Sequence, residues 1–185
     1  MKNECPRMKR CFPEPPVVAY KRSKSLRDLL IRANFPTLRR SRRQKKGFHH
    51  CQGVCLLCRY ADETAKHSCK KTKETWDITS RVNCQTENVI YKIGCRVKNC
   101  KFEYIGETKR RFRERVTEHR GYVTNKKLDQ PTGEHFNTKG HSLADMSPVI
   151  IEQVLPKENV HLRKRREKYW INKYQAADNG ANKRS

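Results

Sequence analysis

The clearest pattern for secondary structure in this chain lies in residues 88–120, NVIYKIGCRVKNCKFEYIGETKRRFRERVTEHR. NVIYKIGC alternates apolar β-branched residues with others, which predicts a strand. KFEYIGE predicts a second strand, and the RVKN between them predicts a hairpin. Thr108 is then expected to cap a helix from about residue 109 to residue 122, with Phe112 and Val116 as its buried stripe. A hairpin that leads directly into an Arg-rich helix is therefore the centre of the predicted domain.

The remainder of the chain adds one strand and one helix to this unit. SPVIIEQVL predicts a third strand. Asn159 is expected to cap a last helix through RKRREKYWINKY, in which Trp170, Ile171 and Tyr174 supply apolar contacts. The order strand, strand, helix, strand, helix predicts a small α+β domain. We divide the chain into a basic arm or linker (1–50), a Cys-rich segment of low periodicity (51–88) and this domain (89–185).

The charge of the chain indicates its partner class. Its 185 residues include 43 Lys and Arg against 19 Asp and Glu, a net charge of +24, with 35% hydrophobic residues. Such a charge favours nucleic acid as partner, with an acidic membrane surface or a merely soluble basic protein as alternatives. The sequence lacks a long apolar run and an apolar signal-peptide core, so we expect an intracellular protein without a membrane span.

The arm carries half of this charge. Residues 1–50 hold fifteen Lys and Arg against three Asp and Glu, and SKSLRDLLIRA within them predicts a short amphipathic helix. RRSRRQKK is typical of a solvated, disordered tail, of a phosphate-contacting arm or of a nuclear import signal, and we expect nuclear localisation. The candidate phosphate contacts, in the arm and at the start of the Arg-rich helix, are Arg39, Arg40, Arg42, Arg43, Lys45, Lys46, Lys109 and Arg111.

A second set of residues suits phosphodiester chemistry. Arg111, Arg115 and His119 are spaced by four and are expected to share one helix face. A phenol or imidazole can take a proton from water, a guanidinium can stabilise charge on phosphate oxygens, and a carboxylate can hold one Mg²⁺. Strand tyrosines more often serve packing, and helical arginines are more often solvated. Spacing alone leaves both interpretations open.

The motifs NVIYKI, EYIGETKRRFRERVTEH, REKYWINKY and GANKR, in this order, resemble a GIY-YIG endonuclease domain over about residues 89–182. The resemblance implies a small fold with a three-stranded antiparallel sheet flanked by helices. It implies Glu167 as the ligand of one Mg²⁺ or Mn²⁺ and Arg115 as the catalytic arginine. Val89 replaces the first Gly of the name motif, and Glu107 stands where the excision-repair relatives have Lys. The implied catalytic set is Tyr91, Tyr104, Gly106, Arg115, His119, Glu167 and Asn182.

The segments PVVAYKRSKSLRDLLIRA, CLLC, NCQTENVIYKIGC and GEHFNTKGHSLADM are similar to the C-terminal region of Penelope-like retroelements. This resemblance implies a nuclease that nicks DNA, so that the free end primes reverse transcription at the target. It implies DNA as partner, with retroelement RNA or a reverse transcriptase domain beside it. The alternative is a non-catalytic, zinc-dependent nucleic-acid-binding module derived from such a nuclease.

The nine cysteines favour metal binding over disulfides in a reducing compartment. CQGVCLLC contains a C-x2-C pair, the usual half-site of a tetrahedral zinc. Nucleases of the Penelope type are described as having a CCHH site, and this resemblance implies a structural Zn²⁺ on Cys55, Cys58, His135 and His141. A rival set replaces the cysteines by Cys95 and Cys100, and Cys69 and Cys84 are further candidates.

Overall fold

The computed structural model describes residues 19–21, 23, 45–53, 55–156, 159–177 and 181–182. The chain divides into two units, Met1–Arg43 and Gln44–Ser185, and the fold below is that of the second unit. The predicted amphipathic helix and the four arm arginines Arg39, Arg40, Arg42 and Arg43 lie outside the described residues. None of the helices in the described ranges has the length and apolar character needed to cross a bilayer.

The second unit begins with short strands that the sequence did not predict. They are β1 (Gly47–His49), β2 (Lys66–Ser68), β3 (Thr75–Asp77) and β4 (Arg81–Asn83). β1 pairs in parallel with β4, and β2 pairs with β3 as an antiparallel hairpin. Strands of three residues present no hydrophobic period that a sequence pattern could reveal. β1 also lies within the range assigned to the basic arm, so part of that range belongs to the folded unit.

A three-stranded antiparallel sheet follows, with β5 (Val89–Cys95) between β6 (Glu103–Thr108) and β7 (Met146–Gln153). The predicted hairpin pairs Tyr91 with Gly106 across β5 and β6. Every residue of β5 is buried, because both faces of the central strand are covered. One of these residues is Lys92, whose Nζ lies 2.9 Å from Oε1 of the fully buried Glu103.

Three described helices complete the unit: α1 (Phe112–Thr124), α2 (Pro131–Phe136) and α3 (Val160–Tyr174). α1 buries the predicted stripe of Phe112 and Val116. The predicted helix start at residue 109 is wrong, because Thr108 is the last residue of β6 and its Oγ1 accepts a hydrogen bond from the backbone N–H of Arg110 in the following turn. The predicted cap of α3 is confirmed, since the Asn159 side chain accepts a hydrogen bond of 2.8 Å from the N–H of Leu162.

Two hydrophobic clusters lie on the two faces of the sheet. One joins Tyr91 and Ile93 of β5 to Phe112 and Val116 of α1, and it also includes Phe48, Leu57 and Val82 from the Cys-rich side. The other joins Ile90 and Ile105 to Trp170 and Tyr174 of α3. Because residues on both sides of position 88 share the first cluster, the Cys-rich segment and the α+β part form one mixed α+β unit with small sheets.

Candidate functional site

The hydroxyl of Tyr91 lies at the centre of the predicted catalytic residues. It accepts a hydrogen bond of 2.9 Å from Nε of Arg115 and lies 2.8 Å from Nε2 of His119. Arg115 and His119 are one turn apart on α1, and Tyr91 points from β5 toward that helix. Arg111 does not share their helical face, since it is the N-cap residue with an extended backbone. Strand and helix thus bring together three residues that are up to 28 positions apart.

The hydrogen bonds continue past His119 to Thr132, whose Oγ1 lies 3.0 Å from Nδ1. The three hydrogen bonds are consistent with one assignment of the protons. Arg115 donates to the Tyr91 hydroxyl, and that hydroxyl donates to Nε2 of His119. Nδ1–H of His119 then donates to Oγ1 of Thr132. Burial, and then the charge of Arg115, lower the pKa of His119 to about 3, so the imidazole is neutral. Burial also raises the pKa of Tyr91 well above its usual value, which keeps the phenol protonated. Sequence reasoning missed Thr132, which no motif distinguishes from other threonines.

Gly106 is required by the position of Tyr91. A Cβ atom at Gly106 would lie 2.5 Å from the Tyr91 hydroxyl oxygen, 2.7 Å from its Cζ and 2.9 Å from Cε1 of Tyr104. Only glycine therefore leaves room for the Tyr91 phenol between strand and helix. Tyr104 is the next ring in this group, with its centroid 6.3 Å from that of Tyr91 and 5.2 Å from that of His119.

Arg115 is the charged member of the group and is partly exposed to solvent. Its side chain is 23% exposed, whereas Tyr91 is fully buried. Its Nη1 lies 2.5 Å from Oε2 of Glu118, which Arg110 also contacts at 2.6 Å. Burial opposes ionisation of Glu118, but the hydrogen bond and charge of Arg115 outweigh it and lower the pKa of this carboxyl. The carboxylate of Glu118 therefore already neutralises part of the Arg115 charge.

Glu167 reaches the same region from α3. It interacts electrostatically with Tyr91, Tyr104 and Arg115. Its pKa is raised by burial and then by the negative charge of Glu107. Glu107 itself is paired with the guanidinium of the buried Arg163. The backbone N–H of Glu107 and the charges of Arg115 and Lys164 act in the opposite direction. A half-buried carboxylate under like-charge repulsion gains from a further cation, and one carboxylate suits Mg²⁺, which keeps several water ligands.

Apart from the predicted zinc ligands, the other predicted site residues in the described part of the chain are Asn182 and the basic residues proposed to contact phosphate. Asn182 bonds both backbone groups of Ile105, its Oδ1 accepting at 3.0 Å and its Nδ2 donating at 2.6 Å. It thereby ties the end of the described chain to β6 between Tyr104 and Gly106. Lys45, Lys46 and Lys109 are exposed, and Nε of Arg111 lies 3.6 Å from a carboxylate oxygen of Glu87.

The four residues of the predicted zinc set do not converge. Cys55 and Cys58 lie in one cluster, and His135 and His141 lie in another. The predicted zinc ligands rest on spacing and resemblance. Neither shows which of several cysteine pairs lies next to the histidines in the folded protein. Within each cluster the candidate ligand atoms all lie within 4.8 Å of one another. Within the part of the chain that the structure describes, two groups could hold a metal ion: Cys51, Cys55, Cys58 and Cys84, and Cys95, Cys100, His135 and His141.

The cluster with two histidines contains the rival cysteines. Sγ of Cys100 lies 3.5 Å from Nε2 of His135, close to the roughly 3.6 Å that a tetrahedral zinc with usual Zn–S and Zn–N distances would require. Both ring nitrogens of His141 are buried without a hydrogen-bond partner among the described residues. Burial and the neighbouring His141 lower the pKa of His135 to about 4, so its imidazole is neutral, the form that could bind a metal. Two unsatisfied nitrogens facing such a group fit a metal ion.

Cys69 belongs to neither cluster. Its thiol is buried and donates to the carbonyl of Tyr174 at 3.7 Å. It therefore behaves as an ordinary buried thiol.

Comparisons of the chain with protein-family models, with curated proteins and with solved structures find no match.

Proposed function

We propose that the folded unit is a Mg²⁺-dependent DNA endonuclease of the GIY-YIG type. The observation that carries this proposal is the Tyr91 hydroxyl, held between Arg115 and His119 over a glycine that cannot be replaced without displacing it. A packing tyrosine does not need a charged donor on one side and a neutral imidazole on the other. The charge of Glu167, which raises the pKa of both Tyr91 and Tyr104, supports a hydrolytic role over simple structural packing.

Arg115 binds the scissile phosphate in this proposal. Its exposed guanidinium edge would exchange Glu118 for a phosphate oxygen and would stabilise the charge that develops during attack. The net charge of +24 steers the DNA backbone toward the unit.

Tyr91 and His119 move the proton. The raised pKa of Tyr91 argues against a resting phenolate, so Tyr91 accepts the proton of the attacking water while its own proton passes to Nε2 of His119. The charge of Arg115 holds down the pKa of His119, and a phosphate on Arg115 would offset that charge. Substrate binding thus raises the basicity of the imidazole, while Thr132 keeps its ring in place.

Glu167 would hold the divalent cation, which when bound supplies positive charge to the phosphate and to the leaving 3′ oxygen. Tyr104 would position the phosphate, and Asn182 keeps Tyr104 and Gly106 in register through Ile105. A structural Zn²⁺ on the Cys95, Cys100, His135 and His141 cluster would fasten the turn between β5 and β6 to α2.

The resemblance to Penelope-like elements extends the proposal to a biological role. The nick would create the primer end for reverse transcription in the nucleus, beside a reverse transcriptase domain and its RNA. A nuclease-derived module that binds nucleic acid through its charge without cutting is the second candidate, favoured by the burial of Tyr91.

Nicking of supercoiled plasmid, with Mg²⁺ and with EDTA, separates these candidates. Glu167→Gln and Arg115→Lys should each lower nicking by about 10²-fold or more and leave DNA binding largely intact. The control variants are Glu114→Gln and Arg113→Lys, which make the same changes at two α1 residues outside the Tyr91 group. DNA binding without Mg²⁺-dependent nicking by the wild type would favour the non-catalytic module.

A further inference from the structure

The second cysteine cluster has the dimensions of a metal site. Sγ of Cys58 lies 3.7 Å from Sγ of Cys51 and 3.9 Å from Sγ of Cys84, and Cys55 completes the group. A tetrahedral zinc with Zn–S bonds of about 2.3 Å places its sulfurs about 3.8 Å apart. We propose that Cys51, Cys55, Cys58 and Cys84 bind a second structural Zn²⁺.

The alternatives explain these distances less well. A disulfide would bring two sulfurs to about 2.05 Å, and the four cysteines are free thiols. Independent buried thiols have no reason to gather four sulfurs within 4.8 Å of one another, and three of the four are only half-buried. A turn places Cys58 back against Cys55, with its N–H donating to the Cys55 carbonyl at 3.2 Å. Four soft thiolates, two of them on such a turn, are typical of zinc ligation.

Cys84 connects this cluster to the helix that carries Arg115. The N–H of Arg113 donates to the carbonyl of Cys84 at 2.8 Å, and the N–H of Phe112 donates to that of Thr86 at 3.0 Å. Arg111 offers no side-chain cap, so these two carbonyls satisfy the first free N–H groups of α1. A zinc with four thiolates also carries a charge of roughly −2, which is favourable beside a helix N-terminus.

The site therefore sets the start of α1 through the backbone at Cys84. Leu57, which lies between Cys55 and Cys58 in sequence, is buried in the same hydrophobic cluster as Phe112. Without the metal, the loop that caps α1 would lose its anchor. The four cysteines are thus positioning residues for Arg115 and His119. Only this consequence for nicking depends on the proposed nuclease function.

Metal analysis of the purified full chain tests the site without reference to activity. We expect about two zinc ions per chain in the wild type, and about one in Cys84→Ser or in Cys100→Ser. Cys51→Ser, at a less buried ligand, serves as the second variant if Cys84→Ser does not fold. Cys69→Ser is the matched control, because this cysteine lies outside both clusters, and it should retain both ions. A wild type with one zinc that Cys84→Ser and Cys51→Ser both retain would overturn the proposal.

Cobalt substitution and amide hydrogen exchange test the ligand type and its consequence. The thiolate-to-cobalt absorption of a four-sulfur site should survive His141→Ala and disappear in Cys84→Ser. Loss of this ion should speed exchange at Phe112 and Arg113 at least tenfold, with little change in α3. Unchanged exchange there would refute the positioning role. A four-sulfur spectrum that persists in Cys84→Ser would refute this ligand set, even if the chain proved to have no nuclease activity.

Discussion

Replacing Gly106 by alanine tests whether the Tyr91 group is built around that glycine. The new methyl would lie 2.5 Å from the Tyr91 oxygen, nearly 1 Å inside ordinary contact. The ring cannot withdraw freely, because it is fully buried and packs on Phe112 and His119 with centroids 5.6 and 5.7 Å away. Overpacking of this kind costs about 1–3 kcal/mol, and each weakened hydrogen bond to the hydroxyl adds about 1 kcal/mol.

Removing the entropy cost of a strand glycine returns about 0.5–1 kcal/mol. We therefore expect Gly106→Ala to lower the free energy of unfolding by roughly 2–3 kcal/mol in urea titrations. Plasmid nicking should fall by about 10²-fold, the usual effect of displacing a reacting group by about 1 Å.

Gly94→Ala is the matched control on the neighbouring strand. Its added Cβ would meet nothing closer than the carbonyl of Ser147 at 3.8 Å, an ordinary contact. It should change the unfolding free energy by about 1 kcal/mol or less and leave nicking intact. If Gly106→Ala matched Gly94→Ala in both assays, the steric argument for this site would fail.

Three further perturbations test the rest of the unit. Lys92→Met leaves the buried Glu103 carboxylate without its ion-pair partner and should lower the free energy of unfolding in urea by about 3–5 kcal/mol. Lys92→Met combined with Glu103→Leu should cost much less. A loss below about 1 kcal/mol for the single variant would contradict this expectation. Burial, then the charge of Lys92, lower the pKa of His67 to about 4, against a small opposing effect of Asp77. Because the unfolded chain then binds the extra proton, His67 should contribute a loss of about 1.4 kcal/mol of stability per unit as pH drops from about 6.5 to about 4, in addition to the losses from His119 and His135, and His67→Phe should make that part of the profile less steep by this amount. An equally steep profile in the variant would refute it. Deleting residues 1–43, which stops before β1, should weaken DNA binding about equally for all sequences and flatten the salt dependence, and an unchanged slope of log K against log salt would count against a phosphate-contacting arm.

Local patterns were sufficient for the main elements of the unit. Apolar, β-branched runs predict β5, β6 and β7. The cap of α3 can be predicted because an Asn side chain readily accepts hydrogen bonds from the first N–H groups of a helix. The stripe of Phe112 and Val116 follows from the helical period. The start of α1 did not follow, because carbonyls of Cys84 and Thr86, distant in sequence, cap it in place of Thr108.

The residue types available for chemistry can be predicted from the sequence, but which of them come into contact depends on tertiary packing. Spacing on α1 predicted that Arg115 and His119 share a face, but only packing against β5 brings both to the hydroxyl of Tyr91. The metal ligands show the same limit. The sequence shows every cysteine and histidine, yet the resemblance pairs Cys55 and Cys58 with His135 and His141, which lie in the other cluster. Ligand sets depend on distances between segments tens of residues apart, which are set by the shared core and not by local propensity.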